Sequence, residues 1–214
     1  MSTSERSQVR RLPDRAAYDT ETIHAILDAA PVGHVGFVAD GRPIVIPMLF
    51  GRDGDDIYLH GSVASRLQRS MAKSLDVCLT VTLVDGLVLA RSAFHHSMNY
   101  RSAVLFGRAE AVEGEEKLRA LRAISEHLIA GRWDEVREPT PIELRQTAVA
   151  KLVVEEASAK ARSGDPVDDE EDLALAVWAG VLPCATAWGV PQPDALLPAG
   201  TAPSPSIEAR RTHP

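Results

Sequence analysis

The sequence predicts a mainly β protein, built as a small antiparallel barrel with peripheral helices. Strand-like segments follow one another through most of the chain and are separated by short turns. The dipeptide Asp40-Gly41 between two of them is a strong signal for a tight hairpin. Closing such strands into a barrel removes the exposed edges that an open sheet would leave.

The elements can be assigned in order along the chain. Residues 1–15 are charged and without periodicity, which predicts an N-terminal arm. Thr20 is the predicted N-cap of a helix whose apolar residues recur at helical spacing before Pro31. Further helices are predicted after Gly61-Ser62 and at 115–130. Strands are predicted at 33–39, 43–50, 56–60, 76–91, 100–112 and about 148–155.

Two strands carry irregular features. Pro47 cannot donate to a ladder, so one edge of its strand is expected to face something other than a neighbouring strand. Asp85-Gly86 interrupts the segment 76–91 as either a hairpin turn or a bulge. Residues 16–190 form the predicted domain. Residues 191–214 hold six prolines and no apolar period, which predicts a disordered tail.

Composition and charge narrow the function classes. Hydrophobic residues make up 45% and charged residues 25%, which is ordinary globular usage. The net charge of -7 argues against a general nucleic-acid binder and against an anionic-membrane binder. Two cysteines are too few for a disulfide framework, and the N-terminus has no apolar signal region. We expect a cytoplasmic domain without a metal site, a nucleic-acid partner or a membrane partner.

The segment from Ile57 to Arg66 is the first candidate site. A strand ends there, Gly61 turns the chain, and the predicted helix begins with serines in its first turn. Free backbone N–H groups and the helix dipole favour an anion, and Arg66 can bind a phosphate through two hydrogen bonds. The alternative is a plain helix start with Ser62 as its cap. The spacing matches neither a Walker loop nor a Rossmann turn.

A second polar segment runs from Arg91 to Ser102 and contains the adjacent histidines His95 and His96. Neighbouring residues of a strand point to opposite faces, which disfavours a shared metal. Ligand-pocket residues, interface residues and loop histidines without a role remain alternatives. The acidic run 165–172 lacks the spacing of an EF-hand and is expected to be a solvated loop. No nucleophile elbow occurs, so a bound cofactor is expected to supply the chemistry.

Several short motifs together resemble a known family, the pyridoxamine 5'-phosphate oxidase-like FMN-binding split barrels. The closest likeness is to its flavin-nucleotide-binding branch, which is related to 5-nitroimidazole-resistance proteins. The resemblance covers about residues 9 to 190. It is carried by four motifs in one order: Ile44-Val45-Ile46-Pro47-Met48, Tyr58-Leu59-His60-Gly61-Ser62, Ser65-Arg66 and the segment from Asn99 to Gly107. The later segments 160–164, 165–172 and 177–183 also look like that branch.

The resemblance implies a six-stranded antiparallel split β-barrel and a homodimer with FMN sites at its interface. Ser65 and Arg66 would hold the FMN phosphate, and Ser102 would replace a glutamine near the flavin. The strand end Leu59-His60-Gly61-Ser62 would follow the ribityl chain. The isoalloxazine would meet Val45, Ile46, Pro47 and Met48. The residues that would approach from either subunit are Asn99, Tyr100 and Trp178.

The sequence also departs from the family pattern. Leu67 and Gln68 stand where true pyridoxamine phosphate oxidases continue with a lysine, and their C-terminal arginine and histidine motif is missing. The first hypothesis is therefore an FMN-dependent oxidoreductase acting on a small molecule, nitroreductase-like or oxidase-like. The second is a non-catalytic flavin- or haem-binding protein, with His60, His95 or His96 as an axial ligand. A dimeric scaffold with an empty site is the third, and a deazaflavin is an alternative cofactor.

Overall fold

In the computed structural model, which describes residues 4–63 and 74–212, six antiparallel strands form a closed ring. The hydrogen-bonded order is β7-β4-β3-β2-β5-β6, and a further pairing of β6 with β7 closes it. The predicted six-stranded antiparallel barrel is confirmed. Two short strands, β1 and β8, add to β7 and β5. The strands are β1 (Ala16–Ala17), β2 (Val32–Ala39), β3 (Arg42–Asp53), β4 (Asp56–Ser62), β5 (Leu75–Leu89), β6 (Ser97–Ala111), β7 (Thr147–Arg162) and β8 (Gly180–Pro183).

The described residues contain four α-helices and several short 3-10 turns. The helices are α1 (Thr20–Asp28), α2 (Gly114–Leu128), α3 (Pro141–Gln146) and α4 (Pro205–Thr212). The N-cap of α1 is Asp19 rather than Thr20, because the Asp19 carboxylate accepts a hydrogen bond from Thr22 N at 2.8 Å. In the described ranges no helix is long and apolar enough to cross a membrane.

The chain divides into two compact units. The first comprises the described residues within Met1–Pro47, Asp76–Gly107 and Val154–Ala185. There β2 pairs with β5 from His34↔Thr80 to Phe37↔Val77. Strand β5 runs without a turn through Asp85-Gly86, because Gly86 pairs with Pro183 of β8. Neither the hairpin turn nor the bulge predicted there is needed, since a long strand bordered by β8 satisfies the backbone.

The second unit comprises the described residues within Met48–Leu75, Arg108–Val153 and Thr186–Pro214. Strand β4 lies between β3 and β7, and α2 packs against it. The predicted helix after Gly61-Ser62 falls mostly on residues 64–73, outside the described residues, and β4 itself continues through Ser62. Helix α4 lies in the segment for which the sequence predicts disorder, and its Ser206 is 5% exposed.

Candidate functional site

A cavity of about 550 Å³ lies within the second unit. Its floor is formed by three neighbouring strands, one wall by α2, and the opposite wall by the irregular segment that leads into α3. Most of its lining is apolar, with a few polar groups, which is typical of a small-molecule or cofactor site. The lining residues are Leu49, His60, Leu121, Ile124, Ser125, Leu128, Trp133, Val136, Arg137, Pro139, Glu143 and Thr147.

Gly51 sets the distance between α2 and the sheet. A Cβ atom at Gly51 would lie 2.4 Å from Ile124 N and 2.6 Å from the Ala123 carbonyl carbon. The helix backbone therefore rests directly on this strand position, which no residue with a side chain could occupy without displacing it. Along β3, Leu49 lies two residues away on the same face and borders the cavity.

A polar cluster around Tyr58 fixes a second point of contact between α2 and the sheet. Tyr58 is fully buried, and its hydroxyl accepts a hydrogen bond from Arg119 Nη2 of α2 at 2.6 Å. The Asp56 carboxylate accepts from the same Nη2 at 2.9 Å and pairs with Lys151 Nζ at 2.5 Å. Burial raises the pKa of the Tyr58 phenol. The hydroxyl therefore stays protonated and bonded, and it anchors α2 beside the cavity.

His60 places an imidazole in the cavity lining. Its Nδ1 is buried and has no hydrogen-bond partner among the described residues. Burial lowers the pKa of His60 below its ordinary value, because the charged ring would lose its hydration. The imidazole is therefore neutral at ordinary pH. A neutral imidazole in an apolar cavity suits a ligand to a metal-centred prosthetic group.

The exposed rim of the cavity carries an ion pair. Arg137 Nη1 donates to Glu143 Oε2 at 2.8 Å, and Nη2 donates to Oε1 at 2.5 Å. Glu143 also completes a capping box at the start of α3, where its Oε2 accepts from Thr140 N at 2.7 Å. The Arg137 side chain and the Thr140 amide lower the pKa of Glu143 to about 2.

Two carboxylates hold the irregular wall between α2 and α3. Glu126 accepts hydrogen bonds from Gly131 N at 2.6 Å and from Trp133 N at 2.9 Å. Glu135 accepts from the hydroxyls of Ser204 and Ser206 and from Ser206 N at 2.9 Å. These bonds lower the pKa of Glu135 to about 2. The C-terminal segment is thus tied to the cavity wall.

The adjacent histidines of the first unit are placed differently. His95 Nε2 lies 3.1 Å from Asp169 Oδ2, and His96 Nδ1 accepts a hydrogen bond from Ala90 N at 3.1 Å. Within the acidic run, Asp168 is not solvated as predicted, because its side chain is 2% exposed. It accepts from Arg91 N at 2.7 Å and from Arg91 Nη1 at 2.8 Å.

The first unit also holds several of the predicted flavin residues. Asn99 Nδ2 donates to Gly164 O at 3.1 Å, and Asn99 Oδ1 accepts from Arg162. Ser102 Oγ donates to Lys160 O at 3.2 Å. Tyr100 is half-buried, whereas Trp178 is 66% exposed. Asn99 and Ser102 thus bind neighbouring parts of β7 and the turn after it. On β3, Val45 and Pro47 are exposed and Ile46 is half-buried.

The remaining predicted residues belong to the second unit. Met48, His60 and Gly61 are half-buried, and Ser62 is exposed. Leu59 is fully buried, and its neighbour in the β3 ladder is Phe50. Its side chain therefore serves the core. Ser65 and Arg66 lie outside the described residues, and their predicted phosphate contact stays a prediction.

Residues 19–161, two thirds of the chain, match the family model described as pyridoxamine 5'-phosphate oxidase. The chain belongs to the pyridoxamine 5'-phosphate oxidase-like family. No curated protein matches it in sequence. The family predicted from the short motifs is confirmed.

Solved structures place the chain more finely among the members of this family. It is 44% identical to the flavocytochrome Anf3 from Azotobacter vinelandii, with a TM-score of 0.89 over 97% of each chain. It is 37% identical to an FAD- and haem-binding protein from Mycobacterium smegmatis, with a TM-score of 0.88 over 92% of this chain and 97% of that one. A candidate 5-nitroimidazole antibiotic resistance protein from Bacteroides thetaiotaomicron is 30% identical, with a TM-score of 0.56 over 68% of this chain and 85% of that one.

The motifs pointed to only part of the cavity of this family member. His60 was among the predicted residues, because it belongs to the motif Tyr58-Leu59-His60-Gly61-Ser62 that resembles the family. The two walls were missed, since their residues are scattered over α2 and the segment that follows it. One local signal existed: Thr140 and Glu143 have the spacing of a capping box, which predicts the start of α3. The lining residues absent from the sequence prediction include Leu121, Leu128, Trp133, Val136 and Arg137.

Proposed function

We propose that this chain is a flavin- and haem-binding redox protein, with haem in the cavity of the second unit and His60 as an axial ligand. The observation that carries the proposal is the imidazole of His60 in the lining of a largely apolar cavity: burial lowers its pKa, and its buried Nδ1 has no hydrogen-bond partner among the described residues. Two relatives that match nearly the whole chain support it, since one is a flavocytochrome and the other binds FAD and haem.

The cavity fits the group in size and chemistry. Haem is a flat, largely apolar macrocycle that bears carboxylates at one edge and takes a neutral imidazole as an iron ligand. A volume of about 550 Å³ falls within the range of ligand pockets. The leucines of α2 and Trp133 would exclude water from the macrocycle. The burial of His60 would keep the imidazole neutral, so that one of its two ring nitrogens carries no proton.

The flavin half of the proposal rests on the family and on the named relatives. We propose a flavin nucleotide, FAD by analogy with the Mycobacterium smegmatis protein, in place of the FMN that the motifs imply. A homodimer with flavin sites at its interface remains part of the proposal. When bound, haem and flavin supply one- and two-electron redox chemistry. The chain supplies binding, orientation and exclusion of water.

The test uses the full-length protein as purified and after reconstitution with haemin and FAD. Absorbance and mass spectrometry of released small molecules should show both a haem and a flavin. His60→Ala should lose haem and retain flavin, because it removes the ligand and leaves the rest of the chain intact. His95→Ala, the control in the first unit, should keep both cofactors.

Two results would overturn the proposal. One is a wild-type protein that takes up flavin and no haem, which would favour a flavin-dependent oxidoreductase without haem. The other is equal haem content in His60→Ala and wild type. Light scattering of the same samples tests the dimer separately.

A further inference from the structure

The ion pair between Arg137 and Glu143 at the rim of the cavity is open to solvent. The Arg137 side chain is 67% exposed and that of Glu143 is 45% exposed. Exposed ion pairs contribute little stability, because water and salt screen them. Replacing Glu143 by another carboxylate on Arg137 therefore costs little.

Glu143 keeps its own partners when Arg137 leaves. Its Oε2 accepts hydrogen bonds from Thr140 N at 2.7 Å and from Thr140 Oγ1 at 3.1 Å. The capping box of α3 stays closed through these bonds. Release of the arginine therefore leaves no orphaned charge in the interior, and the wall need not rearrange.

Arg137 is the only lysine or arginine among the described residues that line the cavity. Its guanidinium forms a planar fork that matches a carboxylate through two parallel hydrogen bonds. It stands at the exposed rim, whereas Ile124 at the wall is 5% exposed. An amphipathic ligand would therefore place its apolar body inside and its acid groups at the rim.

We infer that Arg137 selects for the free carboxylates of the haem, which replace Glu143 on its guanidinium. This inference rests on the proposed function, since it assigns the ligand class of the same cavity: porphyrins with ionised side-chain carboxylates. Arg137 determines specificity, and His60 holds the iron. His60 would contact the iron, and Arg137 would contact the carboxylates at the edge of the macrocycle.

The experiment titrates full-length protein, stripped of cofactors, with haemin and with haemin dimethyl ester. The ester has the same macrocycle and iron and lacks the negative charges. Arg137→Gln should weaken haemin by about fivefold, the upper end expected for an exposed ion pair. Its affinity for the ester should stay within about twofold. Arg145→Gln, which removes an exposed arginine of α3, is the charge-matched control and should change neither.

Substitution of Glu143, the other member of the ion pair, should change the haemin affinity in the opposite direction. Glu143→Gln removes the competing carboxylate and should strengthen haemin binding, whereas a purely structural ion pair would make both substitutions harmful. Arg137→Lys should recover part of the haemin affinity, because an ammonium is a point charge without the planar fork.

Failure of the inference and failure of the proposed function give different results. If wild type binds neither compound with a spectral change that depends on His60, the haem site itself is wrong. If wild type binds both in that way, equal losses for haemin and its ester in Arg137→Gln overturn the assignment of Arg137. Unchanged haemin affinity in Arg137→Gln overturns it as well.

Discussion

Two histidine-bearing regions of the molecule, at His60 and at His95-His96, use the same side chain in contrasting ways. In the second unit, His60 lies within β4 beside a cavity, and its buried Nδ1 has no hydrogen-bond partner among the described residues. In the first unit, the ring nitrogens of His95 and His96 are engaged by Asp169 and by the amide of Ala90. The adjacent pair is the denser motif in the sequence. The single histidine is the one whose surroundings leave it available.

A histidine with a ring nitrogen that no described residue engages is therefore a better candidate ligand than adjacent histidines whose nitrogens are already bonded. His96 Nδ1 accepts a hydrogen bond from the Ala90 amide, so a neutral His96 ring carries its proton on Nε2. The polar groups around this turn form hydrogen bonds with one another, as the side chains of Arg91 and Asp168 also do. The cavity around His60 offers almost no such partners, and a bound group would have to supply one.

The largest expected effect comes from breaking the contact that shapes the His60 region. Gly51→Ala would place a Cβ 2.4 Å from Ile124 N. We expect the free energy of unfolding to fall by more than about 3 kcal/mol, the upper end of ordinary overpacking costs, because backbone meets backbone. Urea denaturation followed by circular dichroism measures it.

Gly36→Ala in β2 is the matched control, since its Cβ would meet nothing closer than Cys78 O at 3.7 Å. Its cost should stay within about 1 kcal/mol, the scale of a glycine-to-alanine change in a strand. Equal losses in the two variants would show that α2 does not rest on Gly51.

A smaller effect is expected where the C-terminal segment supports the wall of the same cavity. Glu135→Gln removes the charge that accepts the bonds from Ser204 and Ser206, so the thermal midpoint should fall. Glu138→Gln removes a nearby exposed charge and should leave the midpoint unchanged. Differential scanning calorimetry compares the two. A thermal midpoint that does not change in Glu135→Gln would contradict this supporting role of the C-terminal segment.

The smallest expected effect is a pH dependence contributed by His60. Its folded pKa lies below the ordinary 6.5, so the unfolded chain binds more protons between these two values. Stability should therefore be full above about pH 6.5 and decrease as pH falls toward the folded pKa. Denaturation midpoints of wild type and His60→Gln should converge at about pH 8 and diverge at about pH 5. Parallel profiles for the two proteins would mean that His60 is not buried in its neutral form.

Local chemistry made much of the fold predictable. Asp40 and Gly41 both have positive φ, 52° and 72°, as the hairpin signal requires. His60 was predicted through the family resemblance that the motif Tyr58-Leu59-His60-Gly61-Ser62 carries. In contrast, the role of Gly51 depends on Ile124, more than seventy positions away, and no local pattern reports that distance.

The other differences between the sequence predictions and the structure also arise from contacts between residues distant in the chain. Asp85-Gly86 carries turn chemistry, yet pairing with β8 keeps the strand straight. The proline-rich tail lacks apolar periodicity, yet its helix docks through hydrogen bonds from Ser204 and Ser206 to Glu135 and through Arg210 over the Trp188 ring. Arg137 gives no signal of its own in the sequence, since only the cavity makes it distinctive.

The carboxylate of Glu126 has a consequence for the dynamics of the irregular wall. It caps the amides of Gly131 and Trp133, although neither lies in an α-helix or a strand. Hydrogen exchange at these two amides should therefore depend on the Glu126 carboxylate, whereas the amides of Arg132 and Glu135 in the same segment bond to backbone carbonyls. This part of the cavity wall is thus held by a side-chain acceptor as well as by backbone bonds. A substitution of Glu126 would therefore change how readily this wall opens and leave the strands of the barrel unchanged.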